Sequence, residues 1–249
     1  MDHRSRVTAD QNASVLRYRL TPGSTAQYEV RLDLHMEIRM QPEADPEILD
    51  AQITTDIDFE VVRPADGDAA VVRVHSRNTS MWVTSESTLD EEDVSEPLSG
   101  LPVAILLDDR GNSVPLADTM GREVAPTDDT NAAPFVLKAM LPLYAKHPVA
   151  PGDQWKVRNE HGTTGHVDPG ETSCVYISLD RSEGWLEPVI SHRYAYQWNL
   201  EGGERGATAY AADTRVSTRD GWPRQVTGEV EIDRHFGRTT VRILATRRR

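Results

Sequence analysis

Glu160, His161, His166 and Asp168 fall within nine residues, interleaved with the turn formers Gly162, Gly165 and Pro169. Imidazole and carboxylate donors on one loop are the chemistry of a zinc or other divalent-ion site. Their spacing matches no established ligand motif, so a solvated loop is the simpler reading, with His161, His166 and Asp168 as weak metal candidates. Asp90-Glu91-Glu92-Asp93 with Glu96 offers a second set of oxygens. It lacks the glycine and the alternate-position oxygens of a calcium loop, and reads as a solvated charge run. Cys174 is the single cysteine. It lies opposite in phase to Val175, Ile177 and Leu179, and alone it makes neither an internal disulfide nor a Cys-x-x-Cys zinc site. The chain has no Gly-x-Ser-x-Gly, no glycine-rich phosphate loop and no His-Glu-x-x-His. The expectation is a non-enzymatic protein without cofactor or metal. An unrecognised metal-dependent or hydrolytic enzyme stays open as an alternative.

The elements that carry these residues are mostly strands. Ala26, Tyr28, Val30, Leu32, Leu34, Met36, Ile38 and Met40 alternate with Gln27, Glu29, Arg31, Asp33, His35, Glu37 and Arg39. A period of two puts the apolar set on one face of a long strand over 26–40; a helix would scatter it around the axis. A strand of that length must twist and curl. Leu49, Ala51, Ile53, Ile57, Phe59 and Val61 repeat the pattern. Further strands are expected at 14–20, 69–75, 79–85 and 103–107, then at 153–160, 172–180, 187–200, 207–218, 222–233 and 238–246. Asp109-Arg110-Gly111-Asn112 and Asp220-Gly221 mark turns. The one expected helix is short and buried, near 134–141, with proline in its first turn and Pro142 ending it.

Charge and composition narrow the class. The chain of 249 residues has a formal net charge of -13 and 38% hydrophobic residues. An acidic chain is repelled by phosphate backbones, so nucleic acid is not an expected partner. The modest apolar fraction suits strands with one wet face. Its only lysines are Lys138, Lys146 and Lys156. No run of residues is long and apolar enough for a membrane helix. The opening residues show no apolar leader segment, which places the protein in the periplasm or cell envelope if a leader was removed, and in the cytoplasm otherwise.

Two segments suggest an internal duplication. Pro22-Gly23 followed by Gln27-Tyr28-Glu29-Val30 resembles Pro151-Gly152 followed by Gln154-Trp155-Lys156-Val157. Chance gives the same match, because Pro-Gly before an alternating strand is common. The domain reading is a tail over 1–13, a first β-lobe over 14–130, a helical connector over 131–146 and a second β-lobe over 147–249. The lobes form either two units or one continuous domain.

Gly152, Asp153 and Trp155 form a Gly-Asp-x-Trp at the start of a strand, after the proline-containing stretch from His147. This segment resembles one found in uncharacterised bacterial envelope proteins. These are similar in outline to the periplasmic carriers of lipoproteins, in which a half-barrel sheet wraps an apolar concave face plugged by short helices. The resemblance covers nine residues and the general strand pattern, and it brings no catalytic residues.

The expected architecture is therefore all-β and mainly antiparallel: a long curved sheet or half-barrel, open to two pseudo-repeated lobes, with one short buried helix. Its expected function is burial of a lipid or other apolar ligand, or of a protein partner's apolar segment, on the concave face. Leu34, Met36 and Trp198 from the sheet, and Phe135, Leu137, Met140, Leu141 and Tyr144 from the helical plug, are the candidate contacts. An ordinary filled core is the competing reading of the same residues. A structural or protein-interaction module with a closed core is the alternative function.

Overall fold

The computed structural model describes residues 13–39, 45–83, 104–117, 133–158, 171–182, 185–199, 205–235 and 237–248. Alternation of side chains sets its architecture. In β1 (Thr25–Ile38), Ala26, Tyr28, Val30, Leu32 and Leu34 are buried while Gln27, Glu29 and Arg31 are exposed. β2 (Glu47–Pro64) repeats this from Leu49 to Val61. The remaining elements are β3 (Ala69–Val83), β4 (Ala104–Asp108), β5 (Ser113–Ala117), α1 (Ala133–Met140), β6 (Gln154–Arg158), β7 (Glu171–Ser182), β8 (Trp185–Asn199), β9 (Arg205–Val216), β10 (Pro223–Arg234) and β11 (Gly237–Arg247).

The strands form one 11-stranded antiparallel sheet in the order β5-β4-β3-β2-β1-β11-β10-β9-β8-β7-β6. Two meanders thus meet at the centre, where β1 pairs with β11 from Tyr28↔Arg247 to Ile38↔Gly237. Every other neighbouring pair is consecutive in the chain. Register shifts interrupt β2–β3 between Thr54 and Asp56 and between Val61 and Arg63, β7–β8 between Tyr176 and Ser178, and β9–β10 between Pro223 and Gln225. Each bulge steepens the local twist, and together they curl the sheet around its apolar face.

The first bulge explains one departure from the sequence reading. Strands expected at 69–75 and 79–85 are a single strand, β3. Asn78 crosses the gap with φ 54°, a left-handed conformation that asparagine tolerates. Its amide donates to the Asp56 carboxylate at 2.7 Å. The strand expected at 14–20 is a strap instead; among the described residues its one β-bridge is Ser14–Val149. The Tyr18 N–H donates to the Asp109 carbonyl and the Arg19 N–H to the Asp220 carbonyl, both at 2.8 Å. Asp109 lies in the β4–β5 turn and Asp220 in the β9–β10 turn, so the strap crosses one end of the curled sheet. Leu16 and Tyr18 need burial, as a strand face would, but find it over turns rather than beside a ladder.

Under the strap lies an aromatic cluster. Tyr18 packs on Tyr144 and Trp222 with ring centroids 5.0 and 5.2 Å away, and Phe59 links Trp222 to Tyr28. The buried hydroxyls are satisfied: Tyr28 donates to the Pro223 carbonyl at 2.9 Å, Tyr18 to Pro142 at 3.2 Å, and Tyr144 to Gly221. The two turns the sequence flagged are where this packing is tightest. Gly111 (φ 94°) and Gly221 (φ 75°) both have left-handed backbones. A Cβ at Gly221 would sit 1.9 Å from the Arg17 carbonyl oxygen, and one at Gly111 would sit 2.4 Å from that of Pro142.

Gly221→Ala should therefore cost about 3–5 kcal/mol, from overpacking added to backbone strain. Gly23→Ala, with φ 79° and nothing within 4 Å of the new methyl, should cost only about 1–2 kcal/mol. Urea unfolding of the two variants measures the difference, and equal losses would show that the strap yields freely.

Candidate functional site

The concave face is filled from the chain's own connector. α1 is apolar on nearly every side: Phe135, Val136, Leu137, Ala139 and Met140 are buried, and the helix rests on β9 and β10. Its one basic residue, Lys138, lies over the rings of Phe135 and Tyr194 at 5.7 and 6.0 Å, a cation–π arrangement. The helix C-terminus has a partner in the sheet. His192 Nε2 lies 3.2 Å from the Ala139 carbonyl oxygen and donates to it in the neutral tautomer. His192 is completely buried, and its Nδ1 has no partner among the described residues. Burial pushes its pKa down to about 4 against the opposing pull of that carbonyl.

Beyond the helix, the stretch 141–149 ties the two outer edges of the sheet together. The Tyr144 N–H donates to the Arg110 carbonyl at 2.8 Å, on the β4–β5 side. The Trp155 indole N–H, on β6, donates to the Leu143 carbonyl at 3.0 Å. The Gly-Asp-x-Trp signature acquires a structural role here. Gly152 turns the chain with φ 96°. The Asp153 carboxylate accepts from the Ala150 N–H at 2.8 Å, and Trp155 is buried.

The sheet curls until β4 and β5 face β6, and a cleft of about 490 Å³ separates these edges. Its apolar lining comes from Leu106 and Val114 on one edge and Trp155 and Val157 on the other. Tyr144 and Ala145, both buried, line it from the connector. Arg110, Lys146, Lys156 and Arg158 also border it, against the acids Asp108 and Glu171. Asp108 is committed to its turn, accepting from the Arg110 and Asn112 N–H groups at 2.9 and 2.8 Å. Glu171 pairs with Lys156 at 2.6 Å. Two further grooves, about 460 and 480 Å³, lie on the convex face where Ala195, Ala211 and Gly228 leave space between charged side chains.

Of the candidate contacts, Leu34, Phe135, Leu137, Met140, Leu141 and Tyr144 meet in one buried cluster, with Met36 packed against it. Trp198 belongs to β8, opposite Gly206; its side chain lies outside the described residues. Glu160, His161, His166, Asp168 and the acidic stretch 90–96 also lie outside them. Among the described residues, no group of three or more His, Cys, Asp or Glu side chains could hold a metal. Cys174 faces the core from β7, and burial pushes its thiol up to about 12. In the sequence, His192 alternates with Ile190 and Tyr194, which marks a strand face but not the partner of a helix end. The cleft residues gave one signal: two of the three lysines, Lys146 and Lys156, border it.

Comparison with known proteins adds little. No known protein family matches the chain, and no curated protein does. Among solved structures, one described as lipid–protein interactions in lipovitellin aligns with a TM-score of 0.49 and 10% sequence identity. The alignment covers 93% of this chain and 26% of that one.

Two outcomes follow. The unfolded His192 titrates near 6.5 and the folded one near 4, so between these values the unfolded chain binds the extra proton. His192 should cost no stability above pH 6.5 and progressively more as pH falls, reaching about 3 kcal/mol near pH 4. His192→Gln should be less stable at pH 7 but flatter over that window, as measured by urea unfolding at stepped pH. Native Cys174 should resist a thiol reagent at pH 8 and react fully in denaturant; rapid native labelling would mean that β7 opens readily.

Proposed function

We propose that the chain is a non-enzymatic binding protein that takes an apolar ligand, or a partner's apolar segment, between the two edges of its curled sheet. The carrying observation is the cleft between the two sheet edges. These edges are held to a common connector rather than to each other, and core side chains, Tyr144 and Trp155, border the gap. A gap of this size is within the range of small-molecule sites, and its lining sets apolar side chains beside charged ones. Affinity would come from apolar area leaving water, about 25 cal/mol per Å² before the costs of association. The Gly-Asp-x-Trp resemblance to envelope proteins favours the same reading and a cell-envelope location. α1 then acts as a plug of the concave face, and the stretch that follows it, Tyr144 to His147, forms the inner wall of the cleft.

A second reading, a protein-interaction module, rests on β3. Its pairing with β4 covers only Ala69–Arg73. From Val74 to Val83 no described strand pairs with that edge, and Trp82 is 54% exposed at its end. An open edge of this kind suits strand addition by a partner.

Native mass spectrometry of protein purified from its own host separates the two. The expected result is a co-purifying small molecule, with an apolar dye that binds the stripped protein and loses affinity about tenfold in Val157→Trp, which fills the cleft. A ligand-free protein that binds no dye would overturn the first reading.

A further inference from the structure

The charge around the cleft is opposite to that of the molecule. The chain as a whole carries -13. At the cleft, four cationic side chains meet two acids, and both acids are occupied. Lys146 and Arg158 are exposed, and neither pairs with an acid among the described residues. On β6 the two chemistries are sorted by the pleat. Trp155 and Val157 point to the interior side, while Lys156 and Arg158 point to the solvent side. A molecule in the cleft therefore meets apolar side chains of β6 on the interior side and, at the mouth, two cations that no acid among the described residues pairs.

We propose that the cleft binds a single-chain anionic amphiphile of the long-chain fatty-acid class, with its carboxylate at Lys146 and Arg158. This deepens the ligand-binding reading above and rests on it. Three observations support the choice. The volume, about 490 Å³, lies in the lower part of the range for small-molecule sites and suits one acyl chain rather than a multi-chain lipid. Leu106, Val114, Trp155 and Val157 give the acyl chain apolar surface to cover within a lining that is otherwise largely charged. The cations are the feature that a neutral hydrocarbon would not need, and positive charge without an acid partner among the described residues selects for an anionic head. Elsewhere the negative surface disfavours such a ligand, so the cleft mouth is a local attractor.

The test is displacement of a neutral, environment-sensitive dye from the full chain by palmitate and by hexadecanol, which share the chain length and differ in the head. Palmitate should compete about tenfold better at low salt, and this preference should shrink in high salt. The double variant Lys146→Gln/Arg158→Gln should lose the preference while hexadecanol binds as before, which also reports that the variant is folded. Glu171→Gln, which releases Lys156, should tighten palmitate about threefold. Equal competition by the two amphiphiles would overturn the proposal and leave the apolar-ligand reading standing. So would a preference that survives the double variant. Binding of a short acidic peptide as tightly as palmitate would assign the cations to a protein partner instead. Failure of dye and both amphiphiles to bind would overturn the proposal and the reading beneath it together.

Discussion

Everything in this fold depends on covering one side of a single sheet. A strand such as β1 is apolar at every second residue, so the sheet has one continuous apolar face and one polar face. No second sheet is available to stack on it among the described residues. The solution is curvature plus filling. Bulges bend the sheet inward, and the connector and the strap supply the inner layer: α1, residues 141–149, and Leu16 and Tyr18. The hydrophobic effect drives this closure without direction. Hydrogen bonds supply the direction, since tyrosine hydroxyls and the Trp155 indole each reach a specific carbonyl.

The same constraint explains why two tight turns matter so much. The β4–β5 and β9–β10 turns sit at the end of the curled sheet where strap and connector pass over. Both use a glycine where the crossing backbone comes too close for a side chain. Packing there is therefore set by backbone against backbone, while the convex face carries exposed pairs such as Arg242–Glu229 and Arg238–Glu231 that contribute little each. Stability is concentrated inside and at one end. The edges meeting across the cleft are comparatively open.

Much of this could be read from residue order, because a period of two is a strong signal. β1, β2 and the six strands of the second half lie within a few residues of where alternation puts them, and α1 follows from its proline and its apolar run. Alternation says less where a segment is polar throughout, as at Ser76–Ser80, so β3 reads as two strands instead of one. It is silent about partners: Leu16 and Tyr18 look like a strand face but pack over turns. Pairing β1 with β11 cannot be seen locally at all. The cleft is hidden for the same reason, since its lining gathers residues from Ala69 to Glu171 that only the curl brings together. His192 was visible as a residue but not as the partner of a helix end.

The central pairing of β1 with β11 has a consequence for how the chain reaches this state. Tyr28 cannot meet Arg247 until every strand between β1 and β11 has been made. Until then β1, with its apolar face and one unpaired ladder edge, waits at the rim of a half-finished meander. Contacts of such sequence separation slow folding, because loop closure must precede their reward. On the ribosome the first meander would emerge with its most apolar strand as a sticky border, exposed to any other chain that can add a strand. β11, which follows the other ten described strands in the chain, closes the middle of the sheet, so this sheet is sealed from its centre rather than from its rim.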